Sequence, residues 1–142
     1  MTNPGLATSA VTPEVRREIE ALSVEYAWLV DHGRAEMIAE LFTEDATLDV
    51  GELLTGMAEI RTALRKRAAQ DILTRHLVTN IRLHGQDDGT VHGTVLLTVL
   101  LREDGGTVNP ERVVAEADDV YALCADGRWR FARRAVAVVF TG

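Results

Sequence analysis

Asp31 and His76 are the pair of residues whose types could do acid/base chemistry together. The acid falls in Tyr26-Ala27-Trp28-Leu29-Val30-Asp31-His32-Gly33, which reads as the end of an amphipathic helix. The base falls in Thr74-Arg75-His76-Leu77-Val78-Thr79-Asn80, which reads as the opening of a long strand. A carboxylate that holds one imidazole nitrogen fixes the tautomer and leaves the other nitrogen as a general base near neutral pH. The two residues are far apart in the chain, so this chemistry depends on a fold that joins them.

The elements that must position them are legible from pattern. Thr12-Pro13-Glu14 has the order of a helix start: a hydroxyl cap, a proline where no backbone donor is needed, and an acid near the positive end of the dipole. Val15, Ile19, Leu22, Tyr26 and Leu29 then recur at helical steps, and Gly33 is a natural stop. A short second helix is expected with Met37, Ile38, Leu41 and Phe42 on one face, then a strand from Ala46 to Val50, then a third helix over Gly56 to Ala69. After that the period changes. His76 to Leu83, Thr90 to Arg102, Arg112 to Leu123 and Trp129 to Phe140 are rich in Val, Leu and Thr. Asp87-Asp88-Gly89, Asp104-Gly105-Gly106 and Asp126-Gly127 mark the turns between them. The expected class is α+β, with three N-terminal helices packed on one face of a curved antiparallel β-sheet and a pocket between the layers.

Composition narrows the function. The chain has 142 residues, long enough for one sizeable core, so residues 13–142 are expected as a single domain after a flexible N-terminal segment, 1–12. A net charge of −7 and a pI near 5.0 disfavour nucleic acid and anionic membrane as partners. Residues 1–11 show no secretory pattern and the longest apolar runs fall short of a membrane span, which makes the cytoplasm the default location. One cysteine, Cys124, excludes an intrachain disulfide and a thiolate metal cluster. No two histidines stand at ligand spacing with a carboxylate, so neither metal nor cofactor is expected.

The order of motifs carries a resemblance. Tyr26 followed by Asp31, then Leu41-Phe42-Thr43-Glu44-Asp45-Ala46, Gly56 with Ile60, Arg75-His76 with Asn80, and the closing Asp126-Gly127-Arg128-Trp129-Arg130-Phe131 together resemble the nuclear transport factor 2-like superfamily, within it the SnoaL-like and scytalone dehydratase-like branch. The resemblance covers roughly Val15 to Phe140. It implies a cone-shaped fold in which Asp31 and His76 form a hydrogen-bonded dyad. By the same resemblance, Val30 and Val50 stand where the dehydratase has water-positioning tyrosines, Val95 where it has a second histidine, and Asp118 where it has a substrate-binding asparagine. These departures argue against the same reaction. The ketosteroid isomerases offer another reading, in which Tyr26 matches an enolate-stabilising tyrosine. Asp49 then stands near the proton-shuttling carboxylate but one residue out of register. The Asp-Arg-Asp set of an epoxide hydrolase is not placed.

The substrate-binding residues expected on this basis are Tyr26, Val30, Asp49, Val50, Val78, Asn80, Val95 and Asp118, with Asp31 and His76 catalytic. The reaction class is dehydration, isomerisation or ring closure of a small hydrophobic polyketide- or terpene-like molecule. The alternative is a non-catalytic binding or dimerisation domain, in which His76 is a satisfied core histidine and Asp31 a helix-end residue bound to backbone. Tyr26 also reads as plain core, His84 and His92 as solvated, and Arg65-Lys66-Arg67 as an exposed helix face. Long strands with apolar residues on both faces, as in Val95 to Leu101, point to a homodimer.

Overall fold

The computed structural model describes residues 10–103 and 111–142. The expectations placed on residues 1–9 and on the Asp104-Gly105-Gly106 turn lie outside the described residues.

Helix α1, Pro13–Asp31, begins as its sequence dictates. Thr12 is extended, and its hydroxyl oxygen accepts the Val15 N–H at 3.2 Å. Ile19, Leu22, Leu29 and Val30 bury one side. The helix stops because Gly33 adopts φ +74°, a left-handed conformation open to glycine, which lets the Arg34 N–H close on the Leu29 carbonyl at 2.8 Å. That stop leaves Asp31 as the last helical residue, free to point its carboxylate away from the helix.

The expected second helix is a 3-10 helix, Ala35–Leu41. Its apolar positions explain the difference. Ala35, Ile38 and Leu41 recur every three residues, the period of the tighter helix. Phe42 is not part of it but opens strand β1, Phe42–Asp49, which begins earlier than expected. A short strand β2, Leu53–Thr55, was not anticipated. It is followed by α2, Gly56–Ala69, which buries Ile60 and Leu64. Strands β3 Ile72–Gly85, β4 Val91–Glu103, β5 Glu111–Leu123 and β6 Trp129–Thr141 form a meander.

The sheet runs β2-β1-β6-β5-β4-β3. Every pair is antiparallel except β1 with β6, which is parallel and departs from the wholly antiparallel expectation. The cause is topological. The meander returns its last strand beside the first, and everything between them acts as one long crossover. A bulge between Thr79 and Arg82 of β3, with further irregularities in the β5–β6 register, curves the sheet.

The main core lies between the helices and the β1–β6 half of the sheet. Phe42 and Phe131 stack at 5.0 Å, and the Tyr26 ring meets Phe131 edge-on at 6.1 Å. Register sorts the remaining side chains by face. Leu48, Arg134, Asp119 and Gly93 lie side by side on the inner face, whereas Asp49, Ala135, Asp118 and Thr94 share the outer one. Among the described residues no helix is long and apolar enough to cross a membrane.

Candidate active site

The end of α1 meets the start of β3 at Asp31. Its Oδ1 accepts from His76 Nδ1 at 2.6 Å and from the Thr74 hydroxyl at 2.8 Å, while Oδ2 accepts the His76 backbone N–H at 2.8 Å. Arg75 also donates to the Asp31 carbonyl at 3.1 Å. The carboxylate is almost covered and the imidazole mostly so, with side-chain exposures of 6% and 15%. An ionised carboxylate only accepts, so Nδ1 carries a proton, and the neutral form of the ring has its lone pair on Nε2. No protein group among the described residues bonds Nε2.

His76 lines a cavity of about 410 Å³ between the helices and the concave face of the sheet. Tyr26 and Val30 come from α1, Leu48 from β1, Leu64 and Arg67 from α2, Ile72 and Thr74 from β3, and Val99 and Leu101 from β4. The walls are mainly aliphatic, and the polar groups are few: the Tyr26 phenol, the Thr74 hydroxyl, the His76 ring and the Arg67 guanidinium. Burial pushes the Tyr26 hydroxyl above its ordinary pKa, with the nearby Arg134 charge opposing the rise. Tyr26 therefore stays a neutral hydrogen-bond donor across the physiological range.

Tyr26 also joins the cavity to a buried polar network. The Arg134 guanidinium sits 4.8 Å from the Tyr26 ring centre and 4.7 Å from that of Phe131. It donates to Asp119 at 3.1 Å and to the Ser23 hydroxyl at 3.2 Å, and Tyr121 donates to the other Asp119 oxygen at 2.7 Å. Burial pushes the Asp119 carboxyl up, against the opposing pull of Arg134 and the Tyr121 hydroxyl, and pushes the Tyr121 hydroxyl up as well.

Of the residues expected to bind substrate, Tyr26, Val30 and Val50 line the cavity with His76. Asp49 and Asp118 do not. They share the outer face, where Asp49 accepts the Gly51 N–H and Asp118 faces Arg133 at 3.9 Å. One position along each strand stand the inward residues, Leu48 and Asp119. Val95 does not line the cavity either: it is fully buried, packed with Leu97, Ala115, Ala117 and Val78 in a second apolar cluster farther along β4. The cavity instead occupies the rungs Thr74 with Leu101 and His76 with Val99. Val78 lies in that second cluster, and Asn80 is exposed in the β3 bulge at φ +53°. The basic run is split as well: Arg65 and Lys66 are exposed, but Arg67 turns inward.

Thr74 and Arg67 were missed at the sequence level, although both had a signal. Thr74 stands two residues before His76 and so shares its face, and Arg67 stands three after the buried Leu64. Among the described residues no group of three or more His, Cys, Asp or Glu is arranged to hold a metal ion.

The fold is shared with known proteins. Residues 12–135 match the family model of the SnoaL-like domain. Among solved structures, ActVI-ORFA from Streptomyces coelicolor is similar with a TM-score of 0.77 at 22% identity, covering 89% of this chain and 98% of the other. LinA is similar with a TM-score of 0.76 at 20% identity, covering 89% and 86%. A protein from Catenulispora acidiphila, solved in complex with S-DNPA, is similar with a TM-score of 0.73 at 24% identity, covering 89% and 95%. No curated protein sequence matches the chain.

Proposed function

From the premise that the chain belongs to the SnoaL-like domain family, we propose that it is a cofactor-independent acid/base enzyme acting on a small hydrophobic molecule through His76 and Asp31. The observation that carries this reading is the orientation of His76. Its Nδ1 is held 2.6 Å from the Asp31 carboxylate, while its ring lines a largely aliphatic cavity. A core histidine kept for packing does not need a covered carboxylate on one nitrogen and open volume beside the ring. The Catenulispora acidiphila neighbour was solved in complex with S-DNPA, which favours a fold that takes a ligand.

In this mechanism His76 Nε2 takes a proton from carbon or oxygen of the substrate, and Asp31 stabilises the imidazolium that results. The neutral Tyr26 phenol donates to the substrate oxygen on which charge develops. Returning the proton to a departing hydroxyl gives dehydration, returning it to another carbon gives isomerisation, and attack of the carbanion on a carbonyl gives ring closure. The aliphatic lining and the fold family together favour a polyketide- or terpene-like substrate.

The test is turnover of a set of aromatic β-hydroxyketones, followed by mass spectrometry for loss of water or isomer formation. Wild type should convert at least one, and His76→Ala should lower that rate about a hundredfold or more while product-analogue binding changes by less than about tenfold. Equal rates for wild type and variant would sink the acid/base reading and leave a binding domain.

A further inference from the structure

The acid/base chemistry leaves one charge in the cavity unused. Arg67 lies in the last turn of α2 and projects into the same space as His76. Its Nη2 donates to the Thr74 hydroxyl at 3.2 Å, and that hydroxyl in turn donates to Asp31. This is its only side-chain hydrogen bond among the described residues, and none of the ion pairs among them includes it. Arg134, the other inward cation, has Asp119 and Ser23.

A cation in the last turn of a helix has an ordinary explanation, the helix dipole. Lys66, exposed in the same turn, already meets that role from solvent. Arg67 instead lies half-buried beside Leu64, Ile72 and Leu101. A guanidinium presents five donors in a planar fork, and with only the Thr74 hydroxyl as partner the others stay accessible at the cavity, where an anion can take them in pairs. The net charge of −7 gives no general attraction for anions, so recognition of one has to be local.

We propose that Arg67 is the specificity-determining residue of the cavity and that the natural ligand is a small, largely apolar molecule bearing a carboxylate. The carboxylate takes two parallel hydrogen bonds from the guanidinium, which leaves the Tyr26 hydroxyl for the reacting oxygen. The hydrocarbon body lies against Val30, Leu48 and Val99, which turns the reacting carbon toward His76. This deepens the reading of the cavity as a small-molecule site and makes a claim about binding that holds without turnover.

Calorimetric titration at about pH 8, where an ordinary imidazole is neutral, tests it with 2-naphthoate and the matched alcohol 2-naphthylmethanol. Wild type should bind the acid at least about tenfold more tightly than the alcohol. Arg67→Met should erase that preference while alcohol binding stays within about twofold, and Arg67→Lys should keep part of it. The proposal is overturned if wild type binds acid and alcohol alike, if the acid shows no saturable binding, or if Arg67→Met keeps the preference. Should the Met variant not fold, the wild-type preference and its partial retention in Arg67→Lys decide the matter. His76→Ala should keep the preference intact. Preference without His76-dependent turnover would sink the proposed enzyme alone, and His76-dependent turnover without preference would sink the carboxylate alone.

Discussion

Asp31 receives three hydrogen bonds on two oxygens, and that count decides what its replacement does. In Asp31→Asn one oxygen can still accept from Thr74 and the His76 ring, but the amide nitrogen then faces the His76 backbone N–H, donor against donor. Leaving that N–H unsatisfied should cost about 1–3 kcal/mol, read from denaturant unfolding. Turnover should fall further than stability explains, by about a hundredfold, because an amide does not stabilise imidazolium. A variant with normal turnover would show that Asp31 serves structure only. Asp31 was legible in sequence because it closes a recognisable helix, whereas His76 lies inside β3 rather than at its start and was singled out by residue type and by the resemblance. Thr74, which holds the carboxylate between them, was not singled out, since a threonine in a strand is ordinary and only the contact with Asp31 distinguishes it. Asp118 failed for a sharper reason: strand side chains alternate, so an alignment displaced by one residue selects the outer face and passes over Asp119.

At the scale of elements, the stripe of α1 and the turns at Asp87-Asp88-Gly89 and Asp126-Gly127 were legible because each depends on local chemistry. The parallel β1–β6 pairing was not, since it joins strands separated by most of the chain. The 3-10 helix escaped because Met37, Ile38, Leu41 and Phe42 also fit one face of an α-helix, and Ala35, which sets the period of three with Ile38 and Leu41, is too small to stand out. The parallel register also sets the buried pair between β5 and β6, with Arg134 beside Leu48 and Asp119 beyond it. Both side chains are essentially inaccessible, at 1% and 0% exposure. Arg134→Met should therefore destabilise the fold by about 3–5 kcal/mol, because it strands a buried carboxylate. Replacing both, as Asp119→Leu with Arg134→Met, should recover much of that loss. Chemical denaturation of the two variants measures it, and a double variant no better than the single would show that the network matters through Tyr121 and Ser23 instead.

The whole molecule leaves apolar surface that its own helices do not cover. On β6, Val138, Val139 and Phe140 are exposed by 62%, 55% and 62%. The register slips at Val139, which sets Phe140 opposite Val114 and Val138 opposite Ala115, so among the described residues both faces of this end of β6 are exposed. On β3, Leu73 and Leu77 are exposed as well, at 47% and 53%, while their neighbours Thr74 and His76 turn into the cavity. Isolated apolar side chains at a surface are ordinary, but a run at the end of a long strand favours a partner. The partner proposed is a second copy of the chain packed through the sheet by a two-fold axis. Light scattering at micromolar concentration should give about twice the 15.6 kDa chain mass, and the double variant Val138→Glu with Phe140→Glu should shift it to the single-chain value without loss of helix content. A wild-type mass equal to one chain would remove the dimer. A dimer untouched by the glutamates would move the interface to another face of the sheet, with Leu73 and Leu77 of β3 the next residues to replace.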